Sequence, residues 1–136
     1  MKSSALLILI TGFIFFSACE TDDESDNFKN LTGTTWRSDS LLVDGVDAGG
    51  TGGILANFSG DVIFNEDKTG TFGSYQGTWT FATNETQLVI TTPSLPIPIT
   101  ANIRELTSTS LKITTSFPNP QNLSVPYNIR MTFKPK

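Results

Sequence analysis

The sequence predicts an all-β protein, an antiparallel up-and-down β-barrel of eight strands. Three observations lead there. Apolar and polar residues alternate with period two over most of the chain beyond residue 35, the signature of strands with one dry and one wet face. Short clusters of Gly, Pro, Asn and Asp interrupt that alternation where turns are needed. No helical i, i+3, i+4 spacing of any size appears between residues 28 and 136, a length suited to one domain.

The first strand is expected over 35–43 and ends at Asp44-Gly45. A glycine-rich loop follows over 44–60, with at most a short extended piece at 54–58, and reads as a flexible lid. Residues 61–92 (DVIFNEDKTGTFGSYQGTWTFATNETQLVITT) form a meander of four short strands and organise the rest. Within it Val62 and Phe64 alternate with Ile63 and Asn65, Trp79 and Phe81 with Thr78, Thr80 and Ala82, and Leu88 and Ile90 with Gln87 and Thr91. The next segment, PSLPIPI, carries three prolines and reads as an extended connection.

Three more strands complete the set. Ile99, Ala101 and Ile103 share a face against Thr100, Asn102 and Arg104; Leu111, Ile113 and Phe117 oppose Lys112, Thr114 and Ser116; Tyr127, Ile129, Met131 and Phe133 oppose Asn128, Arg130, Thr132 and Lys134. Closing eight strands into a barrel removes exposed edges. Alternate connections then fall at the same end: 44–60, 73–77, 93–98 and 118–126 form a mouth, while 65–70, 83–86 and 107–110 form a base. A full strand at 54–58 would break this sorting. The expected lumen residues are Phe64, Trp79, Phe81, Ile103, Phe117, Tyr127 and Met131. Eight strands make a bore that such side chains can fill, so an open ligand site and a solid barrel are both compatible with the pattern.

At the front, Met-Lys-Ser-Ser precedes an apolar run over 5–16 (ALLILITGFIFF), too short for a stable span and the right length for a signal-peptide core. Phe16-Ser17-Ala18-Cys19 follows and resembles the bacterial lipobox, with Phe16 where Leu is usual. Cys19 is the only cysteine, so no disulfide or Cys-based zinc site exists, and lipidation, with palmitate-type acyl chains, explains its position. The expected organisation is a signal peptide over 1–18, a lipidated cysteine and acidic tether over 19–27, and a barrel domain over 28–136. The chain would be anchored to a membrane without spanning it. The acidic run ETDDESD also resembles an export signal that sends some lipoproteins to the cell surface, and reads equally as a solvated spacer. Localisation in a bacterial envelope, at the outer membrane, is the expectation.

Setting aside Lys2 and the five acids of the tether leaves eight basic and eight acidic residues, so the domain is formally neutral and the acidity belongs to the tether. No basic stripe suits nucleic acid.

The residues resemble the small lipocalin-like domains of bacterial envelope lipoproteins. The likeness rests on LTGTTW at 31–36, FNEDKTGTF at 64–72, Gly77-Thr78-Trp79, Leu88-Val89-Ile90, IRELT at 103–107 with Leu111, and Met131-Thr132-Phe133. It implies a lipocalin-like barrel with a small apolar ligand, closed at the base by a Trp and covered by an Arg. Two departures stand out: two residues separate Gly33 from Trp36 where the family has one between Gly and Trp, and Arg130, the candidate cover, has the parity of the polar set.

Other motifs are weaker. Asp67-Lys68-Thr69-Gly70-Thr71 spells the phosphorylation motif of ion-pumping ATPases, but such transfer needs a large α/β domain, and these residues suit a hairpin turn. The run Gly49 to Gly53 lacks the Gly-Lys-Ser/Thr ending of a phosphate loop. Four Asn-x-Ser/Thr sequons, at Asn30, Asn57, Asn84 and Asn122, read as coincidence beside a lipobox. With no His there is no conventional catalytic relay or imidazole metal site. Asp61, Glu66, Asp67, Glu85 and Glu105 fall in or beside turns. No catalysis, cofactor or metal is expected, and the partners are a membrane, through Cys19, and a small apolar ligand; the alternative is a filled barrel acting as a protein-interaction or structural module.

Overall fold

A computed structural model of the chain describes residues 24–136. The expected signal peptide, Cys19 and most of the expected tether lie outside the described residues. The first element is a helix, α1 (Asp26–Thr32), where the sequence predicted none. Its start is well specified: Ser25 is extended and its hydroxyl accepts from Phe28 N at 3.1 Å, with Asp26 in the first turn. Seven residues are too few to be stable alone or to show a periodicity, so packing must hold α1 in place. Leu31 is fully buried and the Phe28 ring lies 5.8 Å from that of Trp79.

The strands are β1 (Trp36–Val43), β2 (Val46–Asp47), β3 (Asp61–Phe64), β4 (Thr69–Phe72), β5 (Tyr75–Ala82), β6 (Gln87–Thr91), β7 (Ile99–Leu106), β8 (Leu111–Phe117) and β9 (Tyr127–Pro135). From β3 to β9 each pairs antiparallel with the next, β1 pairs with β3, and β9 returns to β1 along its whole length. The result is a closed, eight-stranded, antiparallel up-and-down barrel. The two-residue β2 is not a stave; it folds back on the end of β1 through Asp44 and Gly45, whose φ values of 49° and 82° match the twist of a tight hairpin.

Two bulges adjust the alternation. Trp36 and Leu41 are five residues apart, so strict parity would place them on opposite faces, yet both are buried. The register against β9 shifts between Ser38 and Ser40, which absorbs Asp39 and turns both side chains inward. A second shift, between Ile103 and Glu105, turns Glu105 outward opposite Lys112, at 3.0 Å, and leaves Leu106 opposite Leu111.

The two ends sort as the sequence predicted. The segment 54–58 is not a strand: Ala56–Phe58 is a single 3-10 turn. Loops 44–60, 73–74, 92–98 and 118–126 gather at the mouth, and 65–68, 83–86, 107–110 and α1 at the base. Trp36, Phe64, Phe72, Trp79, Leu88, Leu111, Ile113 and Met131 pack the lumen and, with Leu31, are almost wholly buried. Residues 24–136 therefore contain a complete core with no unpaired stave.

Candidate functional site

The base is sealed. Trp36 Nε1 donates to Leu31 O at 3.1 Å, which joins the start of β1 to α1. Beside it the indole of Trp79 meets Phe64 (5.6 Å, 89°) and Phe81 (5.5 Å, 84°) edge to face, the favourable arrangement for ring quadrupoles, and its Nε1 donates to Asn65 O at 3.0 Å. Lys68 Nζ lies 4.4 Å from the Trp79 ring and 4.8 Å from that of Phe28. Lys68 thus lies over Trp79 and not over Trp36, the first-strand Trp of the resemblance, while Arg130, the candidate cover, is exposed on the outer wall.

The mouth is different. A cavity of about 360 Å³ opens there, lined by Ile54, Leu55, Phe58, Tyr75, Leu95, Ile99, Thr115, Phe117, Pro118, Pro120, Gln121, Tyr127, Ile129 and Met131. No charged side chain is among them. Thr115, the one polar wall residue from the barrel interior, donates its hydroxyl to Thr100 O at 2.7 Å and has no free hydrogen to offer a ligand. Gln121 and the tyrosine hydroxyls are the remaining polar groups.

One wall of this cavity comes from the glycine-rich loop, which is a packed flap and not the flexible lid expected. Ala48 N donates to Leu41 O at 2.8 Å and Leu55 N to Ala48 O at 3.0 Å, so the loop continues the pairing of β1. Gly53 is required by this fold-back, since a Cβ there would fall 2.1 Å from Ala48 O. Phe58 then stacks edge-on against Tyr75 at 4.8 Å, and Asn57 Nδ2 donates to the Tyr75 hydroxyl at 3.2 Å.

The predicted lumen residues divide accordingly. Phe117, Tyr127 and Met131 line the cavity. Phe64, Trp79 and Phe81 form the aromatic cluster at the base, and Ile103 packs against the core without reaching the cavity. Sequence reasoning missed Ile54, Leu55, Phe58, Tyr75 and Leu95, which lie in or beside loops where no period marks an inward face. Their one signal was a concentration of apolar residues in segments otherwise made of Gly, Pro and Ser.

A larger hollow of about 820 Å³ lies on the outer wall among Asn102, Arg104, Thr114, Asn128 and Arg130. It is formed by the outer faces of β7, β8 and β9 with Leu42, Asp44 and Gly45 from the end of β1 and its turn, and it is partly open to solvent.

The acids behave as turn and surface groups. Asp67 Oδ1 accepts from Thr69 Oγ1 at 2.6 Å and from Thr69 N at 3.0 Å; these bonds hold its carboxyl below the usual range and occupy it within the hairpin. Glu85 accepts from Ser25 Oγ at 2.6 Å, tying the start of α1 to the base. Hydrogen bonds from Ser110 and Lys112 lower Glu105. Among the described residues no three His, Cys, Asp or Glu side chains gather where they could hold a metal ion.

A closed eight-stranded antiparallel barrel, plugged by aromatic residues at one end and open through an apolar cavity at the other, is consistent with a lipocalin-like fold. No protein-family model matches the chain, and no curated protein matches it significantly.

Proposed function

We propose that the barrel binds a small, uncharged, apolar molecule in its mouth cavity, and that the chain is a non-catalytic envelope lipoprotein held to the outer membrane through Cys19. The observation that carries the first part is the cavity itself: 360 Å³, walled by aliphatic and aromatic side chains and without a charged group. That volume is near the lower end of the roughly 300–1,000 Å³ typical of small-molecule sites, enough for one short chain or a small ring system. A carboxylate or ammonium buried among these side chains would have no partner to offset its desolvation. The second part rests on the sequence, from the signal-peptide pattern and the solitary Cys19.

Native mass spectrometry of residues 24–136 purified from a bacterial host, with an organic extract of the same sample, tests the cavity. A stoichiometric apolar adduct supports the reading; a clean apo mass together with no uptake of an uncharged N-phenylnaphthylamine dye sinks it. Retention of a Cys19→Ser variant in the membrane fraction would overturn the anchor.

The filled-barrel alternative keeps one specific support, that the lumen below Met131 is occupied by side chains from Trp36 to Ile113. A protein with an empty, dye-refractory mouth would belong to that class.

A further inference from the structure

The large aliphatic side chains that remain in water are unevenly placed. Among the described residues six are exposed, and five of them, Val46, Ile54, Ile97, Leu123 and Val125, stand on the three long mouth loops at 43 to 79 % exposure. Singly exposed apolar residues need no explanation, but a ring of them around one opening does. Six of the seven prolines of the chain, Pro93, Pro96, Pro98, Pro118, Pro120 and Pro126, lie in the same loops and restrict the backbone that presents these tips.

We propose that this rim is a lipid-contacting surface, and that Val46, Ile54, Ile97, Leu123 and Val125 enter the interfacial region of an electrically neutral bilayer with the cavity opening onto it; because α1, which follows the tether, closes the opposite end of the barrel, this bilayer is one facing the membrane that holds Cys19.

The chemistry of the rim selects this occupant. The mouth loops contain no Lys or Arg, and their only charges are Asp44 and Asp47. Both carboxylates are turned back on the chain: Asp44 Oδ1 accepts from Asn128 N and Asp47 Oδ1 from Gly49 N, each at 3.0 Å. An anionic membrane surface attracts basic side chains, and none is present, so a zwitterionic surface is the better match. A protein docking site would concentrate binding in Trp, Tyr or Arg anchors, with Leu and Val contributing little, whereas the exposed tips are aliphatic. A second copy of the chain, mouth to mouth, would bring the aspartates of both rims together. The half-buried Tyr75 and Tyr127 sit behind the tips in the cavity wall, with the amphipathic character that suits head-group depth. Contact with hydrocarbon would let an apolar ligand enter without crossing water, a consequence that rests on the preceding reading of the cavity.

Residues 24–136, which hold the complete core, are mixed with phosphatidylcholine vesicles and sedimented, after a cooperative thermal melt has shown each variant to be folded. The expected result is co-sedimentation unchanged by about 0.5 M NaCl, where charge interactions are screened within a few Å. A Leu123→Asp, Val125→Asp double variant should lose about tenfold or more in partitioning while still taking up the N-phenylnaphthylamine dye. Absence of wild-type binding to phosphatidylcholine overturns the proposal and favours a protein partner. Undiminished binding by the double variant overturns it, as does binding confined to phosphatidylglycerol vesicles and abolished by salt. Vesicle binding without dye uptake supports the rim and removes the ligand site; dye uptake without vesicle binding does the reverse.

Discussion

The indole of Trp36 donates its one hydrogen to the carbonyl of Leu31 across 3.1 Å, and both side chains are fully buried. This bond links the only α-helix among the described residues to the first stave of the barrel. Its surroundings are dry, so neither partner can turn to water instead. Trp36→Phe keeps a ring in the plug but leaves the carbonyl unpaired, which should cost about 1–3 kcal/mol in urea unfolding. Release of α1 should also speed hydrogen exchange over residues 26–32 more than over β8. Equal change in both segments would show that the plug acts only through global stability.

Trp79 belongs to the base and not to the ligand cavity. Trp79→Ala should therefore destabilise the barrel by about 3–5 kcal/mol. Dye uptake at a temperature where the variant remains folded should be unaltered. A selective change in dye affinity at full folding would move Trp79 into the binding site.

Lys68 combines a backbone φ of 74° with an ammonium over the Trp79 ring. Lys68→Ala retains the strained conformation and loses the cation, for about 0.5–1 kcal/mol. Lys68→Gly loses the cation but relaxes the backbone and should be the more stable of the two, as a paired thermal melt would reveal. The reverse order would show that the backbone strain is negligible.

Asp61 is hydrogen-bonded by Lys136 Nζ at 2.7 Å and has Arg37 Nε at 3.4 Å, and the Lys136 bond is the largest influence holding its carboxyl below the usual range, against a smaller opposing effect of desolvation. A carboxyl lowered in the folded state stabilises above the pKa of the unfolded chain and loses that contribution as pH falls through the folded value. Asp67 and Glu105 are lowered in the same direction. Urea midpoints should thus be highest near neutrality and fall in the acid range, and the deficit of Asp61→Asn should shrink there. A deficit independent of pH would assign the effect to packing. Added salt should weaken this partly exposed cluster at pH 7.

Leu95 reaches the mouth cavity from a loop that belongs to no strand. Leu95→Trp places bulk in open space, so stability should change by less than about 1.5 kcal/mol. Dye affinity should drop by about tenfold, the effect of displacing a ligand's main apolar contact. Unchanged affinity would locate the dye elsewhere.

The staves were legible in the residues alone, because a half-buried strand writes its orientation into every second residue. Val62 and Phe64, Leu88 and Ile90, Ile99 and Ala101, Leu111 and Ile113, and Ile129, Met131 and Phe133 all face inward as their alternation required. Strand count and parity then implied which loops share an end. The tertiary structure alone decided three things. It formed α1, whose seven residues hold only Phe28 and Leu31 on the packed side and become helical because the open base of a barrel is there to cover. It placed bulges at Asp39 and Arg104, since the mismatch that creates a bulge exists only between two strands brought into register. And it gathered Leu55, Phe58, Tyr75 and Leu95 from three stretches of chain around one opening, a convergence that no local period records because residues in and beside loops acquire an inside only when the barrel beneath them closes.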